Sequence, residues 1–296
     1  MNQLASHGPA LQGVDHTARP TWKLRETIEF YRDKLGLPLV HVISARGWGP
    51  DSHPDFLHFF FDSGKGSTIA FFYYLGSEAP ADVAGRESRR PVPDDHIADA
   101  THTAWQVDTE ADLQAWKHRL ESHGLQVSVE TRHEVIESIY VRDPNGYFVE
   151  FTRKLRALGW IDADDGALTL QAALEAEAVA TTQGRRVQAI DEVWAHKAAL
   201  LAERNVEVPP APLSIYIPRV AEFGSIVNDA MDRDDCQVVA LEDYDRIDAG
   251  APLEFRRRKL GLQPAVWYAL FTGGLRGRIQ VLDRERVVIA PVTAHN

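Results

Sequence analysis

The sequence predicts an α+β protein with two paired βαβββ modules in residues 10–156, followed by a mixed α/β domain over 157–296. Three observations carry this. The stretches "DHTARPTWKLRETIEFYRDKLGLPLVHV" from Asp15 and "THTAWQVDTEADLQAWKHRLESHGLQVSVE" from Thr101 both carry His-Thr-Ala at their start. Both then run through an amphipathic helix and leave it at Gly-Leu before a strand. Each copy is followed by aromatic and β-branched runs that read as further strands. Beyond about residue 156 the texture changes to long alanine-rich helical stretches and unrelated strands. The internal duplication is the organising signal.

Each element has its own local reason. Leu24, Ile28, Tyr31 and Leu35 have helical spacing in the first copy, as Leu113, Trp116 and Leu120 do in the second. Thr109 with Asp112 predicts an N-terminal capping box on the second helix, and Gly36 and Gly124 are natural helix stops. The remaining strands are "DFLHFFFDSG" and "STIAFFYYLG" in the first copy and "SIYVRDPNGYFVEFT" in the second, where Asp143-Pro144-Asn145-Gly146 reverses the chain. In the second half, "LTLQAALEAEAVATTQGRRVQAIDEVWAHKAALLAERN" reads as one or two helices, and "VPPAP" as a break. A strand "LSIYIP", a helix near 219–232, a strand "CQVVALE", a helix through "FRRRKLG" and a terminal hairpin "GRIQVLDRERVVIA" follow. No catalytic motif is recognised there, and its expected role is assembly or covering a cleft.

Composition narrows the function. The 296 residues are 44% hydrophobic and 25% charged, which suits a globular chain of two domains. A net charge of −11 argues against nucleic acid or an anionic membrane as partner. A single cysteine, Cys236, precludes an internal disulfide and fits a reducing compartment. The first residues lack the basic start and apolar core of a signal peptide, and no run approaches the roughly 20 apolar residues of a membrane span, so a cytoplasmic protein is expected.

Glu150 raises the functional question. It lies in "YFVEF", among Tyr147, Phe148, Val149 and Phe151, where an unpaired carboxylate is costly to bury. Ten of the 12 histidines lie before residue 134, and His16 and His102 occupy the same place in the two copies. If paired modules set equivalent strand positions across one cleft, His16, His102 and Glu150 form a 2-His-1-carboxylate set, with Phe71 or a close neighbour as the apolar counterpart of Glu150. Such a set leaves coordination positions open and favours Fe(II) chemistry.

The first 155 or so residues resemble the vicinal oxygen chelate superfamily, which includes glyoxalase I, bleomycin-resistance proteins, fosfomycin-resistance enzymes and type I extradiol ring-cleaving dioxygenases. The extradiol signature is a histidine, a spacer, an aliphatic-Tyr pair, two residues, an acidic or small residue, Pro, any residue, Gly, and a glutamate shortly after. Here it runs Thr131-Arg132-His133, "EVIES", Ile139-Tyr140, "VR", Asp143-Pro144-Asn145-Gly146, "YFV", Glu150. The Asp-Pro-x-Gly turn and glutamate are common to the superfamily, whereas His133 and Tyr140 at these offsets are more specific. Many extradiol enzymes carry two module pairs, and this chain shows one.

The resemblance implies an Fe(II)-dependent extradiol dioxygenase, with Mn(II) as an alternative metal, that inserts O2 into a catechol-like or hydroquinone-like ring. His16, His102 and Glu150 would bind the metal, and His133 and Tyr140 would contact the substrate hydroxyls. His58, with His96 as its rival, would handle a proton near oxygen. Trp48 would line the substrate loop "SARGWGPDSHPD". The expected partners are a small aromatic diol and O2, with no nucleic acid and no membrane, and the expected assembly is a homo-oligomer. The superfamily leaves two other readings open: a glyoxalase-type isomerase, lyase or transferase, and a ligand-binding member without chemistry.

Overall fold

The structure is a computed structural model that describes residues 13–47, 52–81, 85, 100–206 and 209–292. Trp48 and His96 lie outside the described residues. The chain divides into two compact units, Met1–Thr131 with Glu137–Lys154, and Arg132–Ile136 with Leu155–Asn296.

The first unit contains both modules. Strand β1 (His16–Thr21) leads into helix α1 (Leu24–Ile28), which continues as a π-helical turn over Glu29–Lys34; β2 (Leu39–Ala45), β3 (Phe56–Gly64) and β4 (Ser67–Tyr74) complete the copy. The second copy is β5 (His102–Gln106), α2 (Glu110–Ser122), β6 (Thr131–Arg132), β7 (Ile136–Arg142) and β8 (Phe148–Lys154). The sheets have the same order, β1-β4-β3-β2 and β5-β8-β7-β6, with β1 parallel to β4 and β5 parallel to β8. This is the expected pair of βαβββ modules in an α+β fold.

Local chemistry explains the helices. Thr109 caps α2 by accepting from the Asp112 N–H at 3.1 Å, and Asp112 accepts from the Thr109 N–H at 3.0 Å. Gly36 and Gly124 follow the two helices with φ of +78° and +73°, where a Cβ would be strained. The first helix departs from the expected regular spacing: Leu35 N–H bonds to Phe30 O, five residues back. The wider turn lets the adjacent Phe30 and Tyr31 both enter the core.

Strand alternation separates two faces. Phe59, Phe61, Ile69, Phe71, Ile139, Val141, Val149 and Phe151 form one apolar cluster with Tyr31, Leu113 and Leu120. The intervening residues, including His58, Ala70, Ser138, Tyr140 and Glu150, belong to the opposite face. The register narrows the counterpart of Glu150 from Phe71 or a close neighbour to Ala70. His16 pairs with Thr68 and His102 with Phe148, so two residues further along β4 and β8 the equivalent positions are Ala70 and Glu150. Phe71 is one residue further on and is fully buried in the core cluster, because a one-residue step reverses the face.

The second copy is also thinner than expected after its helix. Val127 makes only an isolated bridge to Val141 before the two-residue β6. There the Ser128 hydroxyl accepts from the Tyr140 N–H at 2.9 Å, so a side chain takes a ladder position from the backbone.

The second unit has two long helices, α3 (Trp160–Thr182) and α4 (Ile190–Arg204), broken at Gly184, φ +65°. Its sheets have the orders β10-β11-β9-β13 and β12-β15-β14, with β9 (Leu213–Pro218), β10 (Gln237–Ala240), β11 (Tyr244–Ala249), β12 (Leu253–Arg256), β13 (Leu275–Arg276), β14 (Arg278–Leu282) and β15 (Arg286–Ala290). Short helices α5 (Gly224–Met231), α6 (Arg257–Leu260) and α7 (Pro264–Tyr268) pack among them. The expected helix through "FRRRKLG" loses its first two residues to β12, because Phe255 pairs with Val287 inside the core. No helix among the described residues is long and apolar enough to cross a membrane.

Candidate metal centre

The turn that delivers Glu150 is tied to the other copy. Asp143 is buried and accepts from the Tyr31 hydroxyl at 2.9 Å and from the Asn145 and Tyr147 N–H groups at 2.8 and 2.9 Å. Asn145 accepts from the Thr21 hydroxyl at 2.7 Å and donates to Thr27 at 3.1 Å, while Lys23 donates to Pro144 O at 3.0 Å. The first strands meet as well: Arg19 on β1 donates to Thr103 on β5 at 2.5 Å. Burial pushes the Asp143 carboxyl above its usual range, and the bond from Tyr31 pulls it back. The turn residues therefore hold the modules together, a role that turn propensity alone did not reveal.

Glu150 is only 3% exposed, and its charge is met from two sides. Its Oε2 lies 3.0 Å from His102 Nε2. Its Oε1 accepts from the Ser138 hydroxyl at 2.5 Å and the Tyr140 hydroxyl at 3.3 Å. Thr152 Oγ1 lies 2.9 Å from the same Ser138 oxygen. Ser138 was missed in the sequence, although it sits two residues before Tyr140 on the same strand face.

His16, at the position of β1 equivalent to His102 on β5, is turned to its neighbour: its Nδ1 lies 2.7 Å from Asp15 Oδ1. Its ring contacts Phe60 and His58, with centroids at 5.7 and 6.4 Å. His58 is 6% exposed and stacks on Phe72 at 3.7 Å, and its Nε2 is buried without a hydrogen-bond partner among the described residues. Burial, followed by the charges of His16 and His41, holds its pKa below the ordinary histidine value. His133 falls in the short segment Arg132–Ile136 of the second unit, where its N–H bonds to Ile136 O at 2.9 Å. The structure thus joins His102, Glu150 and Tyr140 directly, and sets His16 beside His58.

Residues 13–151 match the Glyoxalase/Bleomycin resistance protein/Dioxygenase superfamily.

Solved structures similar to part of this chain include lactoylglutathione lyase from Agrobacterium tumefaciens, at 23% identity, covering 49% of this chain and 95% of that one, with a TM-score of 0.33. A glyoxalase/dioxygenase from Nostoc punctiforme is 17% identical, covers 53% of this chain and 99% of that one, and has a TM-score of 0.36. A mutant of the fosfomycin resistance protein FosX from Listeria monocytogenes, complexed with Mn(II), is 18% identical over 50% of this chain and 96% of that one, TM-score 0.33. No curated protein matches the sequence.

The donor types of His16, His102 and Glu150, two imidazoles and one carboxylate, suit a divalent metal. A neutral His16 that donates its Nδ1–H to Asp15 would keep the Nε2 lone pair for a ligand, the usual support of a metal-binding imidazole by a carboxylate. Glu150 is likewise oriented by two hydroxyls. Among the described residues, however, no group of three or more His, Cys, Asp or Glu side chains stands close enough to hold a metal ion. His102 and Glu150 satisfy each other instead.

Proposed function

We propose that the superfamily region is a metal-dependent dioxygenase of the extradiol type, acting on a catechol-like or hydroquinone-like ring. The observation that carries this reading is the buried Glu150, shared between His102 and the hydroxyls of Ser138 and Tyr140. In this reading His16, His102 and Glu150 hold Fe(II), with Mn(II) as the alternative. The metal, when bound, supplies a redox-active centre at which a dihydroxylated ring reacts with O2.

The chain's own groups do the rest. Ser138 fixes the Glu150 carboxylate from the side opposite His102. The Tyr140 hydroxyl, anchored on Glu150, stands ready to hydrogen-bond a substrate oxygen. His58 has a buried, unpartnered Nε2 and a depressed pKa, so it rests neutral near pH 7 and can take a proton from a ring hydroxyl, then return it. Phe60 and Phe72, packed on His58, give an aromatic ring an apolar surface. His133 is proposed as a second substrate contact on the strength of the signature alone. The test is oxygen uptake by iron-loaded protein across a set of catechols and hydroquinones. Uptake with a coloured ring-opened product supports the reading; substrate turnover without O2 consumption would place the chemistry with the isomerases and transferases instead.

A further inference from the structure

The second unit contains a cavity of about 460 Å³, within the range of small-molecule sites, and every residue lining it belongs to that unit. Its walls are apolar where Ile161, Leu170, Val220 and Phe223 line it, and acidic at Glu134, Asp162 and Asp165. Gly166 also lines it, in the interior of the 23-residue helix α3. Glycine is a poor residue for a helix interior, and a Cβ built there meets nothing within 4 Å. The space beside it is open.

The acidic groups are unequally matched. Arg156 bonds Asp162 through both guanidinium nitrogens at 2.8 and 2.6 Å and reaches Glu222 at 2.8 Å. Lys197, fully buried, donates to Asp165 at 2.6 Å, Thr169 at 2.7 Å and Thr272 O at 2.7 Å, so all three of its protons are committed. Glu134 makes no ion pair and accepts no side-chain hydrogen bond among the described residues; after burial, the like charges of Glu222 and Asp165 act on it most strongly, and Arg156, already engaged by Asp162 and Glu222, opposes them only in part. The second oxygen of Glu222 is also buried without a partner. Four carboxylates thus face two cations that are already engaged. Burial and the like charges hold the Glu134 carboxyl above its ordinary range.

We propose that this cavity binds a small organic cation, an amine or guanidinium group carried on an apolar body, with Glu134 meeting the charge. An anion would face uncompensated carboxylates. A neutral apolar molecule would bury Glu134 further without a partner. A bare metal ion would leave the Ile161, Val220 and Phe223 walls uncovered.

Calorimetric titration of the full chain tests this with benzylammonium and its neutral counterpart, benzyl alcohol. Benzylammonium should bind one to one and at least tenfold more tightly than benzyl alcohol. Glu134→Gln should weaken it at least tenfold, and Gly166→Leu, which fills the open space beside α3, should abolish it. Circular dichroism checks both folds, and Gly166→Leu carries the test if Glu134→Gln does not fold. No binding at millimolar benzylammonium, equal binding of the alcohol, or unchanged binding in a folded variant would each overturn the proposal. So would tighter, competing binding of Mg(II) or Ca(II).

Discussion

Tyr31→Phe removes one oxygen from the junction between the modules. The ring is fully buried between Phe61 and Phe71, so the variant keeps its volume and loses only the 2.9 Å bond to Asp143. A hydrogen bond to a charged group contributes about 1.5–3 kcal/mol, and the remaining donors, Asn145 and Tyr147, keep Asp143 from being fully orphaned. The expected loss is therefore about 2 kcal/mol. It should depend on pH. Asp143 already has a folded pKa above its ordinary 3.8, so this group's contribution to stability declines as pH rises from 3.8 through the folded value. Losing the Tyr31 bond raises the folded value further, and the variant's deficit should grow over that same window. Urea unfolding followed by hydrogen exchange, peptide by peptide, reads the effect: β8 and the first helix should lose protection, while β9 should not. A loss below about 0.5 kcal/mol, or one spread equally over both units, would refute the account of the turn as the module junction.

Other outcomes follow from the same geometry. His58 has a folded pKa below 6.5, so the unfolded chain takes up the proton first and this group's stabilising contribution is lost as pH falls from 6.5 through the folded value; His58→Phe should flatten that acid slope in denaturation curves measured across it. Tyr140→Phe and His133→Phe should each leave the metal bound and lower turnover by about 10²- to 10⁴-fold, the histidine change costing more. Metal content and steady-state rates check both, and loss of metal in either variant would make that residue a ligand.

Much of this was legible in the sequence because duplication leaves a repeated pattern. His-Thr-Ala marked both first strands, Gly36 and Gly124 marked both helix ends, and Thr109-x-x-Asp112 marked a cap that the structure reproduces. What escaped was set by tertiary partners. Phe71 and Ala70 differ by one residue, and only the strand register shows that Ala70 is the counterpart of Glu150. Strand β11, "YDRIDA", carries too many charges to read as a buried strand, yet Arg246 is fully buried there because Asp248 binds it at 2.8 Å. Asp143 and Asn145 look like ordinary turn residues until Tyr31, Thr21 and Thr27 are seen bonding them from the other copy.

The central claim is that His16, His102 and Glu150 together hold a divalent iron. Anaerobic loading with Fe(II), followed by metal analysis of purified wild type and of His16→Ala, His102→Ala and Glu150→Ala, tests it most directly. The account predicts about one iron per chain in wild type and loss of iron with each single substitution, as expected when one of only three protein ligands is removed from the site. Full iron occupancy in Glu150→Ala, with the fold intact, would contradict it.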